Sequence, residues 1–151
     1  MILNREEALS GLQSLGLPLA LYGIGEREPR AYFKLAPSLV EILPEAKGYL
    51  PLWEENGEAI VAYDMWNQRF VRRYFEDSAP GDTQFMGNTY QQFLTRYFFE
   101  LYDAGLDERV ETLSMVLGYR HLVSLRKYVQ ECAETDSTSE SDDWKFINQL
   151  G

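Results

Sequence analysis

Apolar and polar positions along this 151-residue chain follow two different periods, and the change of period divides it. From Ala59 to Glu76 the chain is rich in β-branched and aromatic residues and reads as strands, whose period of two sends successive side chains to opposite faces. Gly48 and Pro51 flank the start of an apolar run through Trp53, and Asn56-Gly57 supplies the positive backbone angles of a tight turn. A hairpin is expected there. On its second strand Ile60, Ala62, Asp64 and Trp66 fall on one face, and Val61, Tyr63 and Met65 on the other. Asn67-Gln68 then turns into Phe70–Glu76, with Arg72 expected on the face of Asp64 and Trp66. The result is an antiparallel meander of three strands, one side of which should be sealed by helices, because a lone sheet of this size is only marginally stable in water.

The period becomes helical after the stretch SAPGDTQFMG, which reads as a loop. Tyr90, Phe93, Leu94, Tyr97, Phe98, Leu101 and Tyr102 recur at i, i+3, i+4, i+7, i+8, i+11 and i+12, one continuous stripe. Asn88 or Thr89 can cap the start and Gly105 can end it. Burying each ring of such a stripe contributes on the order of 2 kcal/mol, so it reads as core. Asp107 can cap a second helix carrying Val110, Leu113, Val116 and Leu117, and Leu122, Leu125, Val129 and Cys132 mark a third beyond Gly118. Near the beginning, Asn4 and Glu7 have the spacing of a capping box before Ala8, Leu9, Leu12 and Leu15, and Gly16 with Pro18 stops that helix. Between residues 17 and 48 a short strand at Ala31–Leu35 and a short helix at Ser38–Leu43 are expected. The class is α+β: a central antiparallel meander sheet packed on one side by helices, with a C-terminal helical extension. Residues 1–134 should form a single domain and 135–151 an acidic, partly flexible tail.

Charge changes the picture of what this domain can meet. The net charge is −10, which disfavours nucleic acid as a partner because phosphate neutralisation needs cations. Residues 131–143 hold six Asp or Glu and no Lys or Arg; without them 18 acids face 14 bases, a net −4. More than half of the excess therefore lies in a Ser/Thr/acid segment of solvating composition, followed by Trp144, Phe146 and Ile147, which can dock back. Residues 8–25 carry no charge, but Ser10, Gln13, Ser14, their glycines and Pro18 make them too polar to span a bilayer. Asn4-Arg5-Glu6-Glu7 is not the cationic lead of a secretory signal, so neither a membrane span nor a cleaved leader is expected. The single cysteine excludes an internal disulfide, and a cytoplasmic protein, monomeric or a weak homodimer, is the simplest expectation.

Candidate chemistry is sparse. His121 is the only histidine, and neither a metal pair nor a Cys-His nucleophile can be built around it; Cys132 lies eleven residues on, three helical turns away. His121 reads as a structural or surface histidine and Cys132 as a small core residue. Gly23-Ile24-Gly25 lacks the third glycine and the strand–helix setting of a dinucleotide fingerprint and reads as a turn. No phosphate loop, G-x-S-x-G or H-E-x-x-H is present. The acids of the meander, Glu54, Glu55, Glu58, Asp64, Glu76 and Asp77, could converge at one edge. Two of them could serve a glycosidase, with Glu58 and Asp64 the pair to test, but a chain whose aromatics are committed to a core has little room for a sugar cleft. Their spacing also does not supply a calcium loop. No catalytic residue, metal or cofactor is therefore expected. Carboxylates beside Trp53 and Trp66 suit a protein-docking surface, in which large rings anchor and charges surround them.

The helix ending in Gly16-Leu17-Pro18, the run Tyr49-Leu50-Pro51-Leu52-Trp53 into Asn56-Gly57-Glu58 and Ile60 to Asp64, the Phe70-Val71 strand, and Thr89-Tyr90-Gln91-Gln92-Phe93-Leu94 opening a helix together resemble the SUKH superfamily. The resemblance covers roughly residues 1–105 and rests on hydrophobic positions and turns; residues 19–48 and the extension after Gly105 do not follow the pattern. It implies an α+β domain without known catalysis, in a superfamily that includes a fungal cell-wall-synthesis regulator and many bacterial immunity proteins, which bind a toxin encoded beside them. The expected function is neutralisation of a cationic toxin domain, a nuclease among the possibilities, by binding. Long-range steering would speed the encounter and buried anchors would hold it, since charge is screened over about 8 Å at physiological salt. Trp53 and Trp66 are the expected anchors, with Glu54, Glu55, Glu58, Asp64, Glu76 and Asp77 around them. The alternative is a regulatory adaptor or scaffold acting through the acidic tail.

Overall fold

The structure, a computed structural model, describes residues 13–18, 21, 49–55, 59–65, 67–74, 83–135 and 139–150. The fold is α+β: after the end of the opening helix, the described residues form a four-stranded sheet followed by four helices. Two compact units divide it, Met1–Met86 and Gly87–Gly151, so the boundary expected at 134/135 falls inside the second unit.

In the first unit β1 (Tyr49–Glu55), β2 (Ala59–Asp64), β3 (Arg69–Tyr74) and β4 (Thr83–Gly87) lie in that order in one sheet. The antiparallel pairs β1–β2 and β2–β3 are the expected meander. The fourth strand was hidden in the stretch expected as a loop, because Thr-Gln-Phe-Met-Gly has no alternation and is bounded by turn-forming residues. A bulge at Leu52 shifts β1 by one residue, so Pro51 faces Ala62 while Trp53 faces Val61. Four residues separate β2 from β3, and Asp64 pairs with Arg69 across that turn. Gln68 holds a positive φ of 51° in it, and the Asp64 carboxylate accepts from the Asn67 backbone amide at 3.1 Å and side-chain amide at 2.8 Å.

The Asn56-Gly57 turn lies outside the described residues, as do the start of the opening helix and the strand and helix expected between 22 and 48. What is described of the opening helix is its end: Gln13 and Ser14 are helical, and Gly16, at φ 68°, donates its amide to the Gln13 carbonyl.

The second unit is helical: α1 (Tyr90–Asp103), α2 (Asp107–Leu117), α3 (Leu122–Thr135) and α4 (Glu140–Gln149). Thr89 caps α1, its hydroxyl accepting from the Gln92 amide at 3.2 Å, and Gly105 at φ 74° turns the chain out of it. The stripe read from the sequence is buried at Phe93, Leu94, Tyr97, Phe98 and Leu101 and half-buried at Tyr90 and Tyr102. Asp107 does not cap α2. Leu106 occupies the cap position without a side-chain bond, and Asp107 with Glu108 sits inside the first turn, where negative charge meets the positive end of the helix dipole. Gly118, at φ 70°, ends α2 as expected. The segment expected as an acidic tail carries α4, capped by Ser139, whose hydroxyl accepts from the Asp142 amide at 3.2 Å. Its Ile147 is fully buried.

Glycine is required at Gly87, where φ is 149° and a Cβ would lie 2.8 Å from the backbone nitrogen of Phe93. The close approach of strand end to helix start excludes any side chain there.

Candidate functional site

The polar residues of the meander are engaged with one another. Arg72 projects from β3 opposite Val61, and Glu55 lies on the same face across Ala59 of β2, whose methyl group leaves the way open. Its guanidinium donates to both Glu55 carboxylate oxygens, from Nε at 2.7 Å and Nη2 at 3.2 Å, and through Nη1 to Gln84 Oε1 of β4 at 2.8 Å. One arginine thus links β1, β3 and β4 with a bidentate pair, the strong geometry for this chemistry.

This arrangement corrects the docking surface expected from the sequence. Trp53 is 1 % exposed and Asp64 3 % exposed, so neither offers a face to a partner. Asp64 braces the β2–β3 turn through Asn67, with Arg69 Nε 3.6 Å away. It also does not share a face with Arg72. The four-residue turn pairs Asp64 with Arg69, and hence even-numbered residues with odd, so Arg72 lies on the face of Val61. Consecutive residues Val61-Ala62 and Phe70-Val71-Arg72-Arg73 are buried, so both faces of β2 and β3 are sheltered where one was expected to be open. Glu55 is half-buried and bonded to Arg72. The Glu54 side chain and residues Glu58, Trp66, Glu76 and Asp77 lie outside the described residues.

In the second unit a buried polar set fixes the turn between α2 and α3. Gln91 donates from Nε2 to the Gly118 carbonyl at 3.1 Å and accepts at Oε1 from the Arg120 amide at 3.0 Å. Tyr90 donates its hydroxyl to the Leu117 carbonyl at 2.8 Å, and burial pushes that phenol well above its ordinary pKa. Thr95 donates to the Gln91 carbonyl, leaving its oxygen to accept from the Tyr119 hydroxyl at 2.8 Å. Burial pushes Tyr119 up to about 12, so it stays a neutral donor. Its ring meets Phe98 edge-on at 4.9 Å. Apart from Tyr90, read as part of the stripe, these residues escaped sequence reading, although polar Gln91 and Thr95, four apart within an aromatic helix, were the available signal. His121, expected as a structural or surface histidine, is half-buried and edge-on to Tyr119 at 5.8 Å, and its backbone carbonyl accepts from the Leu125 amide in the first turn of α3.

A turn held this firmly presents what projects from it. Arg126 of α3 is ion-paired with Glu111 of α2. Met115 lies one helical turn beyond Glu111 and Val123 about one before Arg126, so both lie toward the connecting turn. Met115 is 85 % exposed and Val123 77 % exposed, with Val116 exposed beside them. Of the core stripe expected on α2, Val110 and Leu117 are buried and Val116 points outward, while Ser114 is buried among them. Acidic Asp103 at the end of α1 and Asp107 and Glu108 at the start of α2 are exposed.

Between α3 and α4 runs a groove of about 610 Å³ lined by Lys127, Tyr128, Glu131, Cys132, Lys145 and Phe146 among others. Cys132, expected as core, is half-buried in its wall. Tyr128 donates to Asp143 Oδ1 at 2.8 Å. Burial, more than any neighbour, raises the Asp143 carboxyl above its ordinary value, with the Tyr128 bond and Arg96 opposing and Asp103 and Asp142 assisting.

No family model matches the chain, and no curated protein or solved structure gives a significant match. Among the described residues no group of three or more His, Cys, Asp or Glu could hold a metal ion, and no helix is long and apolar enough to cross a membrane.

Proposed function

We propose that this chain is a non-catalytic binding module of the SUKH type, an immunity protein that neutralises a cationic toxin domain by occupying it. The observation that carries the reading is the pairing of a net charge of −10 with the outward apolar side chains Met115 and Val123. Negative charge raises the encounter rate with a basic partner, and desolvated apolar side chains then slow its departure. The anchoring part thus moves from the buried Trp53 of β1 to the α2–α3 turn, whose backbone the Gln91 and Tyr90 bonds hold ready. A preorganised surface loses less entropy on binding. The resemblance of residues 1–105 to the SUKH pattern supports the same class.

The adaptor reading is weakened by α4, since a linear motif must be free to extend and Ile147 of this segment is fully buried. The test is affinity capture from the native host with the full chain as bait. A basic protein should be retained one-to-one, with affinity falling steeply between about 50 and 500 mM salt. Recovery of no basic protein at any salt concentration would sink the proposal, and loss of a partner on deleting residues 136–151 alone would favour the adaptor.

A further inference from the structure

A solvent-open cleft of about 270 Å³ lies among α1, α3 and α4, lined by Phe99, Tyr102 and Asp103 of α1, Tyr128 and Cys132 of α3 and Asp143 of α4, among others. Phe99 is buried, and Tyr102 and Tyr128 are half-buried. Aromatic rings and a pair of carboxylates therefore share one small concavity. Its volume falls just short of the roughly 300 Å³ at which small-molecule sites begin, a size for one side chain rather than a cofactor.

The electrostatics of the cleft favour a positive occupant. Asp143 accepts from the Tyr128 hydroxyl at 2.8 Å, and no second bond to this carboxylate is present among the described residues. Asp103 is exposed and forms no ion pair among them, and it stands close enough to disfavour charge on Asp143. The cations of the neighbourhood are engaged elsewhere. Arg96, which acts on Asp143, meets Glu100 at 3.5 Å, and Arg126, which acts on Tyr102, is paired with Glu111. Helix ends add to the negative field: Asp103 is the last residue of α1 and Cys132 lies in the last turn of α3, where the helix dipole is negative, and neither helix has a basic residue in that turn. The positive end of α4 offsets part of this at Asp143.

We propose that this cleft receives an arginine side chain of the cationic partner, its guanidinium against the rings of Phe99, Tyr102 and Tyr128 and its donors toward Asp103 and Asp143. The inference rests on the binding role proposed above for where that arginine comes from. A guanidinium is planar and weakly hydrated, so it lies on an aromatic face more readily than an ammonium does, and its fork of donors can serve two carboxylates at once. Its charge also relieves the repulsion between Asp103 and Asp143. Tyr102 lies within electrostatic reach of Asp107 and Glu111, so the cleft borders the helix that carries Met115. A partner seated on Met115 and Val123 thus gains a directional contact beside an apolar one.

The test titrates N-acetyl-arginine amide into the full chain and follows its NMR signals, with N-acetyl-citrulline amide, the uncharged isostere, at matched ionic strength as the control. Saturable shifts at Tyr102, Asp103, Tyr128 and Asp143 are expected with the arginine compound, with a Kd on the order of 1–10 mM for so small a ligand, and none with citrulline. Asp103→Asn, a change at an exposed position, should weaken binding about fivefold to tenfold, and Asp143→Asn should do the same while keeping an acceptor for Tyr128. Absence of saturable shifts, citrulline binding at equal affinity, or full affinity in both variants would overturn the proposal. The titration needs no protein partner, so its failure is distinct from a failure to capture a basic protein. With the captured protein in hand, Asp103→Asn should hold it about tenfold more weakly, and unchanged affinity would remove the arginine from this cleft.

Discussion

Two ion pairs of the same chemistry, Arg72–Glu55 in the sheet and Arg126–Glu111 between two helices, play opposite parts. Arg72 has a side chain 6 % exposed and meets its carboxylate through two nitrogens while a third reaches Gln84. Arg126 and Glu111 are both about half exposed, and solvent screens their attraction. The sheet buries its pair to join strands, whereas the helical unit leaves Arg126 and Glu111 at the surface, on the two helices that carry Met115 and Val123. Carboxylates clustered in a sequence are therefore no guide to a docking surface until their cation partners have been located.

The strongest way to break this contrast is Trp53→Ala. If the ring is core, its loss should cost about 4 kcal/mol and lower the thermal midpoint sharply, as deletion of a buried aromatic does. A folded variant with an unchanged midpoint would restore Trp53 to the surface. Arg72→Ala comes next, with an expected loss of about 3 kcal/mol in urea titration, because Glu55 and Gln84 lose their shared partner in a mostly buried site. In the other region Arg126→Ala should change stability by less than about 0.5 kcal/mol. Equal losses from the two arginines would erase the distinction.

A pH series sharpens it further. The folded-state pKa of Asp143 lies above its ordinary 3.8, so folding favours the protonated carboxyl. Its contribution to stability is present at low pH and is lost as pH rises through the raised value. Protection of α4 amides, normalised for intrinsic exchange, should accordingly fall as pH rises above the ordinary carboxyl range, with that of α1 and α2 changing less. Rising protection over that range would reverse the sign and contradict the assignment.

Periodicity made α1, its Thr89 cap and its Gly105 end legible, and alternation around a turn revealed the paired β2 and β3. Register was not legible. The bulge at Leu52 and the four-residue turn after Asp64 each shift which residues face one another, and neither leaves a compositional mark. β4 was missed because a five-residue strand between turn-formers shows no alternation. The acidic count in residues 131–143 concealed α4, since Ser139 with Glu140, Asp142 and Asp143 in the first turn is also a favourable helix start. The expected site failed at Trp53 and Asp64 for a related reason: composition marks a large ring or a carboxylate without telling whether the pleat turns it inward.

The most direct measurement compares two baits in the native host, the unsubstituted chain and the double variant Met115→Asp, Val123→Asp, after their thermal midpoints have been matched. Both positions are exposed, so the midpoints should agree within a few degrees. The unsubstituted chain is expected to retain a basic protein one-to-one and the double variant to lose it at least about a hundredfold, on the scale of a hot-spot loss. Retention of the same protein by both baits at equal affinity would contradict docking at the α2–α3 turn.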